Sequence, residues 1–159
     1  MTEFTGTRAA ADFPTFRSTA GSGLLQVAYG TYSVTIEPVP ADIYNMCKVP
    51  AGAVVLGGFL RHPDIDTNAS ETMDLNVGWA ANGVEVADPD GFGNFGIQDG
   101  DAVTGYLPEG GVLLPLNGVL ATTGPQAFTK ETTITVTCVD DPATFTAGII
   151  TVVVYFVVP

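Results

Sequence analysis

Residues 149–158 read Ile-Ile-Thr-Val-Val-Val-Tyr-Phe-Val-Val, and this stretch constrains the fold more than any other. In an extended chain successive side chains point to opposite faces. Ile149, Val153, Tyr155 and Val157 would therefore share one side, and Ile150, Val152, Val154, Phe156 and Val158 the other. A strand apolar on both sides is covered on both sides. Bare at a sheet edge, it would template aggregation. The segment is thus expected to be a central strand or one covered by another subunit. It is too short to cross a membrane as a helix, which takes about 20 apolar residues.

The rest of the chain repeats the period-two theme. Ile134, Val136 and Cys138 alternate with Thr133, Thr135 and Thr137, and Asp140-Asp141-Pro142 then signals a turn. Met73, Leu75 and Val77 alternate with Asp74 and Asn76, which predicts a half-buried strand with one wet face. Residues 24–36 alternate loosely, with a fold-back expected at Gly30. Residues 43–49 run into Pro50-Ala51-Gly52, where proline pre-sets the first corner and glycine supplies positive φ. Gly57-Gly58, inside the apolar run 53–60, points to a bulge, a bend or a close backbone neighbour. Short strands are expected at 102–107, 112–116 and 119–122, and a long excursion with a short helical turn at 80–101. No segment has helical amphipathic periodicity. The sum is an all-β, antiparallel, jelly-roll-like sandwich of about eight strands over residues 23–159.

Residues 1–22 stand apart. They hold two of the five basic residues, Arg8 and Arg17, and the aromatics Phe4, Phe13 and Phe16. A merely solvating tail seldom carries three phenylalanines, so this segment is read as an extended arm whose Phe residues anchor on a partner. The arm residues Phe4, Arg8, Phe13, Phe16 and Arg17, with Tyr155 of the last strand, are the expected partner contacts.

Charge narrows the partners. The net charge is −12, and between Arg61 and Lys130 there are ten acids and no Lys or Arg. Binding phosphate backbones requires neutralising them with cations, which excludes nucleic acid as a direct partner. Anionic membrane surfaces are disfavoured for the same reason. The N-terminus lacks the basic and apolar regions of a secretory signal. Cys47 and Cys138 are therefore expected as reduced, buried small hydrophobes rather than a disulfide.

No catalytic constellation is legible. The lone His62, in Arg61-His62-Pro63-Asp64, looks like an exposed corner residue without an orienting group. Asp64, Asp66 and Asn68 begin like a calcium loop, but loop position six is Ala69 and position twelve is Leu75. Neither metal nor cofactor is expected. Trp79, Phe92 and Phe95, beside the Asp/Gly-rich segment, would form the recognition surface of the competing class, a carbohydrate-binding or tail-accessory jelly roll.

Three stretches, Lys48-Val-Pro-Ala-Gly-Ala-Val-Val-Leu-Gly-Gly, Met73-Asp-Leu-Asn-Val-Gly-Trp and Ala147-Gly-Ile-Ile-Thr-Val-Val-Val-Tyr, stand in an order that resembles small virion proteins of tailed bacteriophages. The chain is similar to capsid decoration, or cement, proteins. That resemblance implies a jelly-roll domain, a homotrimer, and the major capsid protein as partner. It also implies a place on the outer capsid surface after assembly in the host bacterial cytoplasm, and no enzymatic activity.

Overall fold

The computed structural model describes residues 2–6, 9–10, 24–98 and 110–159. In chain order the elements are β1 (Glu3–Thr5), β2 (Gln26–Val34), β3 (Ile43–Val49), β4 (Val54–His62), β5 (Asp74–Trp79), β6 (Asp88–Gly93), β7 (Val112–Pro115), the single turn α1 (Val119–Thr122), β8 (Gln126–Ala127), β9 (Thr132–Asp140) and β10 (Gly148–Val157). They form two sheets. Sheet A runs β1-β3-β9-β5-β6, and sheet B runs β2-β10-β4-β7 with β8 added beside β4. Without the short β1 and β8, eight strands remain, four per sheet, and each sheet seats early strands beside late ones. This is the two-sheet winding of a jelly roll.

The core lies between the sheets. Ile150, Val152, Val154 and Phe156 of β10, Ile134 and Val136 of β9, and Leu75 and Val77 of β5 are fully buried there. As its two-sided pattern demands, β10 is central, paired antiparallel with β2 on one side and β4 on the other. The Pro50-Ala51-Gly52 turn also forms, with Gly52 at φ 81° and the Ala53 N–H donating to the Pro50 carbonyl at 3.1 Å. Gly58 is held at φ 154°, and a Cβ there would lie 2.0 Å from the Val153 carbonyl oxygen. The paired glycines thus permit a close backbone approach, next to a register shift between Tyr155 and Phe156.

Five local expectations differ from the structure. The chain does not fold back at Gly30. β2 runs straight through, because glycine admits the Met46 carbonyl to a point 2.0 Å from where a Cβ would stand. β5 has no wet face: Asp74 and Asn76 are as buried as their apolar neighbours. The strand is central in sheet A, and the returning chain at Asp88 and Pro89 crosses its outward side at Gly78. Residues 80–101 are not one long excursion, since β6 pairs with β5. Residues 119–122 form a helical turn rather than a strand. Gly118, at φ 55°, redirects the chain, and its carbonyl accepts from the Ala121 and Thr122 N–H groups. The strand expected at 102–107 lies outside the described residues. Last, β1 joins sheet A in parallel with β3 and continues through Gly6, whose N–H donates to the Asn45 carbonyl at 2.7 Å.

One carboxylate stitches the two sheets together. Asp66 lies in the crossover from β4 in sheet B to β5 in sheet A. Its oxygens accept backbone N–H groups from Asn68, Thr72 and Met73 on its own crossover. They also accept from Ala143 and Thr144, on the crossover from β9 back to β10, both at 2.9 Å. Burial works to raise the Asp66 pKa, but the backbone N–H bonds together outweigh it and hold the carboxyl below the usual range. The residue that resembled a calcium ligand is a structural staple.

Candidate functional site

The sandwich has two outward faces, and the alternation that fills the core also dictates what each presents. On sheet B the outward residues are mostly apolar. Register sets Val27, Tyr155 and Gly57 in one row, and Tyr29, Val153, Phe59 and Pro115 in the next. A third row holds Thr31, Thr151, Arg61 and Leu113. Val27, Tyr29 and Ile149 are 45%, 38% and 54% exposed, while Val153 and Tyr155 are half-buried. The Tyr155 ring meets Phe59 edge-on at 6.4 Å. The second apolar side of β10 is therefore an open patch and not a second core. A contiguous apolar patch of this kind marks an interaction surface.

Sheet A presents the opposite chemistry. Its outward rows read Glu3, Ile43, Thr137 and Asn76, then Thr5, Asn45, Thr135 and Gly78. The 80–89 segment turns back along this face. It is braced by Glu85, whose carboxylate accepts the Thr129 N–H and hydroxyl and the Asn82 side-chain amide. Those bonds draw the pKa of the half-buried Glu85 down to about 2. Between this segment and the sheet lies a cleft of about 140 Å³, lined by Glu3, Ile43, Asn45, Thr135 and Thr137 on the sheet side. Trp79, Ala80, Ala81, Ala87 and Pro89 complete it. Glu3 accepts a hydrogen bond from the Asn45 amide. The buried oxygens Thr137 Oγ1, Asn76 Oδ1 and Asp74 Oδ1 have no hydrogen-bond partner among the described residues. Burial first, then the negative charge of Asp140 opposite, pushes the Asp74 pKa up.

Of the expected partner contacts, Tyr155 sits in the middle of the sheet B patch. Phe4 is half-buried, stacked on Tyr44 with centroids 5.2 Å apart and tilted against Tyr32 at 5.8 Å, so its ring fastens β1 to the body. Arg8, Phe13, Phe16 and Arg17 lie outside the described residues. The aromatic surface considered for a glycan module is mostly core. Trp79 is 6% and Phe92 0% exposed, packed edge-on at 4.9 Å, while the Trp79 indole N–H donates to the Val86 carbonyl.

The residues with reactive potential are committed elsewhere. His62 is 1% exposed, not a solvated corner. Its Nδ1 lies 2.8 Å from the Pro63 carbonyl oxygen and its Nε2 2.7 Å from Gln98 Oε1. Gln98 is oriented by donating its amide to the Leu75 carbonyl. Burial lowers the His62 pKa against the pull of these two oxygens. Cys47 and Cys138 are free and buried, as their strand patterns suggested. The Cys138 thiol is pushed up to about 12, by burial first and then by the nearby carboxylates, Asp42 foremost. Sequence reasoning missed the sheet A cleft, because it depends on residues 80–89 returning over a strand that alternates normally.

No family model matches the chain, and no curated protein matches it in sequence. Solved structures do. A chain of the cyanophage Pam1 capsid asymmetric unit superposes with a TM-score of 0.67 at 24% identity, over 96% of this chain and 99% of that one. A chain of the capsid of Ralstonia phage GP4 gives 0.75 at 17% identity, over 99% and 98%. The acidic stable capsid structure of Helicobacter pylori bacteriophage KHP30 gives 0.51 at 13%, over 85% and 90%. What this chain shares with these neighbours is the fold, over 85% to 99% of its length.

Proposed function

We propose that this chain is a structural protein of a tailed-phage virion, one that binds the outer capsid surface as a homotrimer and cements the lattice of the major capsid protein. The observation that carries this reading is the mutual coverage. The chain spans nearly the whole of a capsid-associated chain in the Pam1 and GP4 structures and is itself spanned by it. A shared generic sandwich would match as part of something larger, whereas here the whole unit corresponds. The apolar outward face of sheet B supplies a surface for self-association, and the excess of acid keeps the particle from clinging to polyanions. The role is structural, since the histidine and both thiols are locked into the core. The N-terminal arm, with Phe13 and Phe16 as anchors and Arg8 and Arg17 as cations, is proposed to grip the lattice.

The test uses heads assembled from the major capsid protein encoded alongside this chain, in a phage lacking its gene. Purified chain should co-sediment with these heads saturably and raise the temperature at which they rupture. Protein that stays in the supernatant at micromolar concentration overturns the proposal.

A further inference from the structure

We infer that the cleft on the outward face of sheet A is a socket for a lysine side chain of the protein on which this chain docks. This rests on the proposed docking role, and it adds the chemistry of one contact to it. The walls formed by Ile43, Ala80, Ala81, Ala87 and Pro89 are small and apolar, suited to a methylene stem. Among the described residues, the only formal charge lining the cleft is the Glu3 carboxylate, and no Lys or Arg lines it. Thr135 and Thr137 of β9 complete the sheet-side wall next to it. An ionised carboxylate accepts and does not donate, so the complementary occupant is a cationic donor. An ammonium fits that description with three donors and no acceptor.

Lysine is favoured over arginine by the carboxylate's prior engagement. Glu3 Oε1 already takes the Asn45 amide, so the paired fork of a guanidinium would have to share that oxygen with it. A point-like ammonium needs only one. The net charge of −12 favours the approach of a basic partner over the same distance range.

The probe is N-acetyl-lysine methylamide, titrated into ¹⁵N-labelled full-length chain. Saturable amide shifts should appear at Ile43, Ala80, Ala81, Ala87, Thr135 and Thr137 at millimolar concentration. The norleucine analogue, which keeps the stem and loses the charge, should give none. Glu3→Gln, at an exposed position, should retain the fold by its amide spectrum and weaken the titration at least about five-fold. Shifts absent up to tens of millimolar, equal shifts with norleucine, or an unaffected Glu3→Gln titration would each overturn the socket. Head co-sedimentation is read separately. Heads that bind the chain while the lysine probe does not leave the cement role standing and the socket refuted; a lysine titration without head binding does the reverse.

Discussion

The outward faces of the two sheets are built from the same period-two grammar and end in opposite chemistry. Sheet B offers Val27, Tyr29, Val153, Tyr155 and Phe59, partly bare to solvent. Sheet A offers Asn45, Thr135, Thr137 and Asn76, polar side chains that are nonetheless largely withdrawn from solvent. Polarity and burial have come apart on both faces. A soluble monomer would arrange them the other way, with the open face polar and the covered face apolar. On the proposed reading the sheet B face is completed by association, while the sheet A face uses its own 80–89 segment as cover and keeps a small recess with apolar walls and one carboxylate.

The largest effect is expected at the residue that fixes one face relative to the other. Asp66→Ala removes a carboxylate that five backbone N–H groups share, and should cost about 4 kcal/mol in chemical denaturation. If the loss is under 1 kcal/mol, the crossovers hold each other without the staple and the two faces are less rigidly related than described. Next comes the apolar face itself. Val153→Asp places a charge in the middle of the patch and should weaken self-association roughly 100-fold in sedimentation velocity, with the β-rich circular dichroism intact. An unchanged oligomer would assign association to another surface.

His62 belongs to neither face and so serves as a control for both. Its folded-state pKa is lowered by burial. The neutral ring therefore contributes stability that is fully present above the ordinary histidine value, about 6.5, and is lost as pH falls below it toward the folded value. Stability of the native chain should decline between pH 7 and pH 5. In His62→Asn that slope should flatten, whatever the substitution costs at pH 7. A slope that survives the substitution would place the titration on another group, and not on Asp74, whose raised folded-state pKa would stabilise the chain as pH falls. The smallest effect is expected on the polar face. Thr137→Val deletes a buried hydroxyl that has no partner, at nearly constant volume, and should be neutral or stabilising by about 0.5–1 kcal/mol in thermal melts. A loss of more than 1 kcal/mol would mean that the hydroxyl has a partner in solution.

Much of the sandwich was legible where the pattern is local. Alternation alone located β9 and β10, and Pro50-Ala51-Gly52 located its turn, because each depends on residues adjacent in sequence. The two-sided apolar run correctly required a central strand, but it did not distinguish a second core from an exposed patch. That depends on what lies beyond the sheet. The failures share one cause. Asp74 and Asn76 looked wet because nothing in their neighbourhood announces that residues 88–89 close on the outward side of the same strand at Gly78. His62 looked exposed because its partner Gln98 lies 36 residues on. The sheet A cleft combines β1, β3, β9 and the 80–89 segment, whose meeting is a property of topology and not of any motif.

The winding of sheet B carries one more consequence. Gln26 is registered with Phe156 and Val34 with Gly148, so β2 has no neighbour of its own until β10 arrives to separate it from β4. During synthesis β2 must wait, unpaired, until nearly all the intervening residues have left the ribosome. Such long-range closure is slow, and the waiting intermediate exposes sticky surface. The nascent chain should therefore depend on chaperone holding, or on prompt release, far more than the finished protein's robust sandwich would suggest.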